Sequence, residues 1–182
     1  MQKIIGLSGY SRSGKDTLAD RFEQRHGFYK ISLADPIRQA LYSLDPNIDY
    51  QGYRVNLKQI VDAEGWEALK EHSFEYRPLI QRMGMTARQL WGEDFWVERL
   101  FEWEIAGHII VPDVRFRNEA DAIRERGGKI WRIERPGVSP TNGHLSEVSM
   151  DGYDFDAVLV NDGSFVDFYA QAEVTLGAQF HA

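Results

Sequence analysis

The stretch from Ile4 to Phe22, IIGLSGYSRSGKDTLADRF, constrains the fold of this chain more than any other. An apolar, strand-like run leads into an amphipathic helix that begins near Lys15, and between them Gly9 and Gly14 bracket four residues. A loop of this spacing wraps its backbone N–H groups around a phosphate, while the lysine and the helix N-terminus add positive charge. The alternative, a tight turn that merely contains glycines, leaves the lysine and the strand-to-helix placement unexplained. The sequence therefore predicts a phosphate-binding loop.

Asp16 departs from this motif, because GxxxxGK[ST] loops carry a hydroxyl at that position. A carboxylate cannot donate a hydrogen bond to a phosphate, but it can accept one from water bound to Mg²⁺. The hydroxyl of Thr17 can still reach a phosphate oxygen. The alternative for Asp16 is a favourable interaction with the helix dipole in the first turn.

Composition excludes several classes of protein. The 182 residues carry 28 acidic and 21 basic side chains, a formal net charge of −7, which argues against binding nucleic acid through its phosphates. The absence of cysteine excludes disulfides and thiolate metal sites. The sequence has no signal-peptide pattern and no apolar run long enough to span a bilayer. We therefore predict a single soluble, intracellular domain.

Short apolar runs alternate with amphipathic stretches, a pattern typical of βαβ units in a parallel sheet. Strands are predicted near Lys3–Ser8, Phe28–Leu33, His108–Pro112, Lys129–Glu134 and Ala157–Val160. Helices are predicted at Lys15–Arg25, Pro36–Leu44, Leu57–His72, Arg77–Leu90, Asp94–Ala106, Phe116–Arg126 and Phe165–Leu176. The least regular part, 135–156, is rich in Gly, Pro, Ser and Asn, and such segments are usually functional or mobile.

A second acidic element lies in HIIVPDVRFRNEADAI, where an apolar strand is followed by Asp113. A carboxylate at the carboxyl end of a strand can orient a metal ion and its waters beside a phosphate-binding loop. Arg115 and Arg117 follow, and guanidinium groups there suit the charge of a transferring phosphoryl group. The alternative for both arginines is a solvated helix start held by Glu119 and Asp121.

The segment 34–107 has no place in a minimal nucleotide-binding fold, and a kinase would use such an insertion to bind its acceptor. A nucleoside monophosphate needs guanidiniums for its phosphate, an aromatic or apolar wall for its base, and an amide or hydroxyl to read base edges. The segment supplies all three types in Arg38, Arg77, Gln81, Arg82, Arg88, Trp91 and Trp96. The alternative is that most of it is core, because Leu79, Ile80, Met83 and Leu90 recur at helical spacing.

With these pieces assembled, the sequence resembles the phage-type deoxynucleoside monophosphate kinases. The resemblance runs through most of the chain in GYSRSGKDTLAD, SLADPIRQAL, LIQRMGMTARQLWGEDFWV, VPDVRFRNEADAI, KIWRIERPG, HLSEV and NDGSFVDFYAQ. The GKD loop and the Asp-Val-Arg strand end are its most specific parts. Asp16 thus becomes a family trait.

The resemblance implies a P-loop NTPase fold, a three-layer α/β/α arrangement with a five-stranded parallel sheet. It also implies a helical acceptor-binding insertion at 34–107 and a short lid at about 135–156 within one kinase domain spanning 1–182. The implied reaction moves the γ-phosphoryl group of ATP to a deoxynucleoside 5′-monophosphate, with Mg²⁺ as cofactor.

The resemblance also implies roles for individual residues. The implied catalytic residues are Lys15, Asp16, Asp113, Arg115 and Arg117, and Asp16 and Asp113 would approach the metal. The implied ATP-binding residues are Gly9, Arg12, Ser13, Gly14, Lys15, Asp16, Thr17 and Arg135. Acceptor-binding candidates are Arg38, Arg77, Gln81, Arg88, Trp96 and Arg132, and Arg132 and Arg135 could also belong to the lid.

Two other functions stay open at this point. One is a P-loop kinase for a different phosphorylated acceptor, since GKD loops also occur in animal-type phosphomevalonate kinases. The other is a nucleotide-binding switch module, although the guanine-reading NKxD motif is absent from the sequence. The expected partners are small-molecule substrates, with no nucleic acid and no membrane, and a homodimer is left open. The expected location is the cytoplasm, that of the host if the protein is phage-encoded.

Overall fold

The computed structural model describes residues 2–140 and 148–180, and the chain divides into two compact units. The first unit comprises Met1–Ser32 and Glu104–Ala182, and the second comprises Leu33–Trp103. The bounds of the second unit lie close to those of the predicted insertion, 34–107. The assignment of that segment to an acceptor stays a prediction.

The first unit is built on a parallel sheet with strands β1 (Ile4–Ser8), β2 (Tyr29–Lys30), β5 (Ile109–Val111), β6 (Lys129–Glu134) and β7 (Ala157–Val160). The strand order is β2-β5-β1-β6-β7, and every neighbouring pair is parallel. The predicted five-stranded parallel sheet is confirmed. Its carboxyl edge is where ligands bind in folds of this kind.

Helices cover both faces of this sheet. Successive residues of its central strand point to opposite faces, and each face packs against a helix. Ile5 and Leu7 of β1 face a core shared with α1 (Lys15–His26) and α7 (Phe165–Phe180). Gly6 points the other way, where a Cβ would lie 2.9 Å from Ile123 of α6 (Arg117–Glu125). The predicted three-layer α/β/α fold is therefore confirmed.

The second unit contains four helices and a hairpin among its described residues. The helices are α2 (Asp35–Leu44), α3 (Leu57–His72), α4 (Tyr76–Trp91) and α5 (Phe95–Phe101), and the hairpin pairs β3 (Asn47–Tyr50) with β4 (Tyr53–Asn56). The helices predicted in this region are present, but α5 ends five residues before the predicted Ala106. The prediction for α3 is also corrected, because Gly65 has non-helical angles (φ 81°, ψ 177°) that kink the helix.

No strand was predicted in the hairpin region, and this omission has a local cause. Gln51 and Gly52 both have positive φ, 53° and 84°, as the two-residue turn of a tight hairpin requires. The strands on either side are only four residues long, so their alternation of apolar and polar side chains gives a weak pattern.

The second unit has its own apolar core, formed between its helices and the hairpin. Leu41, Ile48, Leu57, Leu69 and Tyr76 are among its most buried side chains.

In the described residues, no helix combines the length and apolarity needed to cross a membrane.

Asp156 anchors the start of β7 to its neighbours, and we expect Asp156→Asn to lower the free energy of unfolding by about 2 kcal/mol. Its carboxylate accepts hydrogen bonds from the backbone N–H of Ile130 at 2.9 Å, from Arg124 at 3.0 Å and from Lys129 at 3.2 Å. Burial favours the neutral acid, but these donors outweigh it and hold the pKa of Asp156 below its ordinary value. Urea unfolding at pH 7 measures the effect.

The pH dependence of the same variant follows from the direction of that shift. A carboxyl with a lowered folded-state pKa stabilises the protein fully above its unfolded-state pKa, and this contribution disappears as pH falls through the folded-state value. The gap between wild type and Asp156→Asn should stay constant from pH 7 to about pH 5 and close only below about pH 4. The control is Asp154→Asn, an exposed neighbour, which should change stability by less than about 0.5 kcal/mol. Equal losses in both variants would contradict this account.

Candidate active site

The loop between β1 and α1 has a backbone that only glycine permits at its two ends. Gly9 has φ 144° and Gly14 has φ 108°. A Cβ on Gly9 would collide with the carbonyl oxygen of Ile133, and one on Gly14 would lie 2.6 Å from Nδ2 of Asn161. The two glycines are therefore required by both conformation and space.

Lys15 begins α1 and lies across this loop. Its ammonium group donates to the carbonyl oxygens of Gly9 at 2.7 Å and Tyr10 at 2.8 Å. These bonds hold the positive charge over the loop, where the backbone N–H groups and the helix N-terminus would meet an anion. The strand-loop-helix arrangement predicted for the motif is present.

Asn161 follows the end of β7 and supports the loop. It was not among the site residues predicted from the sequence. It is 8% exposed and its side-chain amide donates to the carbonyl oxygen of Ser13 at 2.9 Å. Ser13 itself is buried, and its hydroxyl has no hydrogen-bond partner among residues 2–140 and 148–180. The predicted role of Ser13 in contacting ATP stays a prediction.

Asp113 lies just beyond β5, at the same edge of the sheet. One of its carboxylate oxygens accepts a hydrogen bond from the hydroxyl of Ser32 at 2.5 Å. The backbone N–H of the next residue, Val114, donates to the carbonyl of Leu7 at the end of β1. These bonds fix Asp113 beside the loop. Ser32 is a further residue that sequence reasoning missed.

A cleft at this edge brings predicted site residues together, namely Gly9, Arg12, Lys15, Asp16, Asp113, Arg115 and Arg132. The cleft is therefore lined by four basic side chains and by the two carboxylates, Asp16 and Asp113, that were predicted to approach a metal. Ser8, Ser11, Pro112, Val114 and Met150 complete its lining. Lysine, arginine and carboxylate side chains around one cleft suit an anionic ligand accompanied by a divalent cation.

The two arginines after Asp113 have different surroundings. Arg115 lines the cleft, and the buried carboxylate of Glu119 accepts hydrogen bonds from its backbone N–H at 2.8 Å and from that of Phe116 at 2.9 Å. Arg117 instead donates to the carbonyl oxygens of Ser149 at 3.3 Å and Asp151 at 2.9 Å. The structure therefore separates the two arginines that the sequence had paired.

Arg132 is held by aromatic and acidic neighbours. Its side chain is 9% exposed, its guanidinium lies 4.6 Å from the ring centre of Tyr10, and it donates to Asp151 at 3.1 Å. The hydroxyl of Tyr10 lies 3.0 Å from both oxygens of the same carboxylate. Because Tyr10 belongs to the loop, Asp151 joins the loop to Arg132. Nothing in the sequence indicated the contact between Tyr10 and Asp151, which are 141 positions apart.

Asp16 is exposed at the rim of the cleft and lies near a lysine that the sequence analysis did not identify. The ammonium group of Lys30 lies 3.6 Å from Asp16 and 2.7 Å from Asp20. Burial tends to lower the pKa of Lys30, but the hydrogen bond to Asp20 and the charge of Asp16 outweigh it and raise this pKa. Lys30 is therefore a cation at neutral pH.

The remaining predicted residues of the first unit lie outside the cleft lining. Thr17 is exposed on the first turn of α1. Arg135 is exposed, and it donates to the carbonyl oxygen of Arg12 at 3.5 Å. The predicted lid, 135–156, lies partly outside the described residues, because 141–147 are not among them.

The predicted acceptor residues Arg38, Arg77, Gln81, Arg88 and Trp96 all belong to the second unit. Arg38 pairs with Asp35 at 2.6 Å. Arg77 is exposed, and Arg88 donates to the carbonyl oxygen of Glu93. Trp96 is only 6% exposed, and its indole N–H donates to the carbonyl oxygen of Gly84 at 3.0 Å. Trp96 therefore packs in the core of this unit.

Comparison with known proteins gives the family of this chain. The profile of the family described as deoxynucleotide monophosphate kinase matches residues 3–79 and 66–172. The chain belongs to the deoxynucleotide monophosphate kinase family. A protein of Acanthamoeba polyphaga mimivirus is 30% identical over an alignment of 184 positions, which covers 92% of this chain and 93% of the relative. The deoxynucleotide monophosphate kinase of Enterobacteria phage T4 is 26% identical over an alignment of 237 positions, which covers 96% of this chain and 98% of that protein.

The fold has a counterpart among solved structures. Shikimate kinase from Aquifex aeolicus superimposes with a TM-score of 0.50 at 14% sequence identity, over 98% of this chain and 99% of that chain. This similarity confirms the predicted P-loop NTPase fold. The family match confirms the resemblance that the GKD and Asp-Val-Arg motifs suggested.

Proposed function

We propose that this protein transfers the γ-phosphoryl group of ATP to a deoxynucleoside 5′-monophosphate, giving ADP and the deoxynucleoside diphosphate. The observation that carries the proposal is that one cleft is lined by Lys15, Asp16, Asp113, Arg115 and Arg132. The chain also belongs to the deoxynucleotide monophosphate kinase family. Loop, lysine and carboxylates supply what phosphoryl transfer needs, which is positioning and charge stabilisation.

In this proposal the loop from Gly9 to Thr17 binds the phosphates of ATP. Its backbone N–H groups surround the β-phosphate, and Lys15 leaves the carbonyl oxygens of Gly9 and Tyr10 to contact the β- and γ-oxygens. The exchange replaces two neutral acceptors by charged phosphate oxygens, which attract the ammonium group more strongly.

Transfer itself needs no covalent enzyme intermediate. An oxygen of the acceptor phosphate bonds to the γ-phosphorus while the bond from that phosphorus to the β,γ-bridging oxygen breaks, so ADP leaves with the electron pair. Negative charge spreads over the transferring group, and Arg115 and Arg132 line the cleft in which it develops.

The donor set of the cleft fits Mg²⁺ that arrives with the nucleotide. Within residues 2–140 and 148–180, no cluster of three or more His, Cys, Asp or Glu side chains could hold a metal alone. Mg²⁺ is usually bound by one or two carboxylates together with substrate phosphates and waters, and Asp16 and Asp113 supply two carboxylates. When bound, the ion would neutralise part of the negative charge on the phosphates, with Asp16 and Asp113 as the residues that would hold it.

We propose that the second unit binds the acceptor. Arg38, Arg77, Gln81 and Arg88 remain its candidates for the phosphate and the base. The burial of Trp96 removes it from our proposed set, and the aromatic wall is better supplied by Trp91, which is 63% exposed and lies 4.9 Å from the ring of Phe95. Offset or tilted aromatic pairs of this kind provide a stable surface for a flat base.

Two further parts of the proposal follow from the sequence alone. The segment 135–156, with Arg135, would act as a lid that excludes water, so that ATP is not hydrolysed. The protein would act in the cytoplasm, that of the host if it is phage-encoded.

The proposal is tested by measuring ADP formation from Mg-ATP with each deoxynucleoside and ribonucleoside monophosphate in turn. Phosphomevalonate and a reaction without acceptor are the controls. We expect ADP formation that depends on one or more deoxynucleotides, which also defines the range of bases. ATP binding without any acceptor-dependent ADP would contradict the proposal, and activity with phosphomevalonate alone would replace it.

Asp16→Asn is expected to reduce turnover more than affinity for Mg-ATP and to raise the Mg²⁺ concentration needed for half-maximal rate. The amide keeps the size of the side chain but loses the charge that would attract the ion's bound waters. We expect kcat to fall about tenfold to a hundredfold. Titration of activity with Mg²⁺ at saturating ATP measures the effect. An unchanged Mg²⁺ dependence would leave Asp16 only its interaction with the helix dipole.

A further inference from the structure

Lys30, at the end of β2, makes a contact that the nucleotide-binding motif does not require. Its ammonium group lies 3.6 Å from the carboxylate of Asp16 and 2.7 Å from that of Asp20. The two aspartates are one turn apart on α1, so Lys30 bridges neighbouring like charges on one helix face. Lys30 itself does not line the cleft, whereas Asp16 does.

The charge of the loop explains why such a bridge matters. A GK[ST] loop presents a lysine and a neutral hydroxyl to the phosphates, but here the positive charge of Lys15 is followed at once by the negative charge of Asp16. A carboxylate beside a triphosphate repels it, and at the exposed rim where Asp16 lies this repulsion is moderate and weakens as salt is added. When no Mg²⁺ is bound, a further cation near the aspartate would therefore raise the affinity of a GKD loop for an anion.

We propose that Lys30 is this cation, a positioning residue that balances the charge of Asp16 and fixes the place of its carboxylate at the rim of the cleft. The ammonium group also donates to Asp20 at 2.7 Å, so it lies between the two carboxylates. Lys30 acts through Asp16, so its effect depends on the acid in the loop. The inference rests on the proposed function only in placing the ATP phosphates at this loop.

A simpler role for Lys30 is to stabilise α1 by relieving the repulsion between Asp16 and Asp20, with no influence on the nucleotide. In that role the contacts of Lys30 would be ordinary surface ion pairs, which contribute little to stability. The two roles differ in what they change. Neutralisation of Asp16 alters ATP affinity and its salt dependence, whereas a purely structural bridge alters only thermal stability.

Equilibrium titration with ATP in EDTA at low ionic strength tests the proposal, because it requires neither Mg²⁺ nor an acceptor. We expect Lys30→Met to weaken ATP binding about tenfold and Asp16→Asn, in the wild-type background, to tighten it several-fold. The double variant Lys30→Met/Asp16→Asn should bind within about twofold of wild type. The deficit of Lys30→Met should shrink as salt is raised from about 0.02 M to 0.5 M.

Asp20→Asn is the matched control, because Asp20 also pairs with Lys30 but lies one turn, about 5.4 Å, farther along the helix. It should bind ATP within about twofold of wild type. Wild-type affinity in Lys30→Met, or no rescue by Asp16→Asn, would overturn the proposal. If Lys30→Met does not fold, Asp16→Asn decides, since unchanged affinity, or equal tightening by Asp20→Asn, would also overturn it. Failure of the wild-type protein to bind ATP would instead refute the proposed function.

Discussion

Lys15→Met is expected to lower kcat/KM for ATP by about a thousandfold while leaving the fold intact. The methionine keeps the length and apolar stem of the side chain but removes the charge that would follow the β- and γ-oxygens into the transition state. Loss of one preorganised donor to a developing anion typically costs a factor of 10² to 10³. Here the donor also carries a full charge beside a helix N-terminus, which places the expectation at the upper end.

Steady-state kinetics with varied ATP measures this effect, and thermal unfolding checks that the variant is folded. Lys70→Met is a suitable control, because Lys70 belongs to the second unit and pairs with the exposed Glu67 on α3. It should change kcat/KM by less than about twofold. A loss of less than about tenfold in Lys15→Met would show that the loop lysine is not the principal charge partner of ATP.

Gly9→Ala is expected to abolish ATP binding within a practical concentration range and to lower the free energy of unfolding by about 3 kcal/mol. The added methyl group would collide with the backbone carbonyl of Ile133 in β6, which cannot move without disturbing the sheet. Gly9 also has φ 144°, which a residue with a Cβ rarely adopts. The loop must therefore shift, and its N–H groups would no longer converge on one phosphate.

Gly27→Ala isolates the effect of backbone conformation from that of space. Gly27 ends α1 with φ 65°, and a Cβ there would meet nothing within 4 Å. We expect a loss of about 1 kcal/mol in stability and unchanged ATP affinity. Calorimetric titration with ATP and urea unfolding of both variants provide the comparison. ATP binding by Gly9→Ala within threefold of wild type would contradict the close approach of Gly9 to β6.

Much of the first unit could be predicted because its signals are local. The loop, the strand that precedes it and the helix that follows lie within about twenty consecutive residues, and each has its own pattern of spacing. The carboxyl ends of parallel strands meet at one edge, so Asp113 could be placed near the loop from its position after a strand. In the structure, Asp113 and Lys15 line the same cleft.

The residues that sequence reasoning missed depend on contacts between distant segments. Tyr10 and Asp151 are separated by 141 positions, and the bond from Ser32 to Asp113 spans 81. Neither distance is encoded in any local pattern. Asn161 was overlooked for the same reason, since its amide meets the loop only after β7 has joined the sheet.

Trp96 shows the limit of composition as a guide to a binding site. A tryptophan in an arginine-rich segment fits both a wall for a base and a core residue, because both environments favour large aromatic side chains. Only burial separates the two, and here the indole N–H is occupied by the carbonyl oxygen of Gly84. The exposed Trp91, five positions earlier, has the accessibility that a stacking surface needs.

The most direct test of phosphoryl transfer by this cleft follows the fate of the γ-phosphate. Mg-ATP labelled in that phosphate is incubated with a deoxynucleoside monophosphate and the wild-type protein, and the products are separated. The account predicts label in the β-phosphate of the deoxynucleoside diphosphate, formed in equal amount with ADP, and none of this product with Lys15→Met. Label recovered only as inorganic phosphate, or diphosphate formed equally well by Lys15→Met, would contradict it.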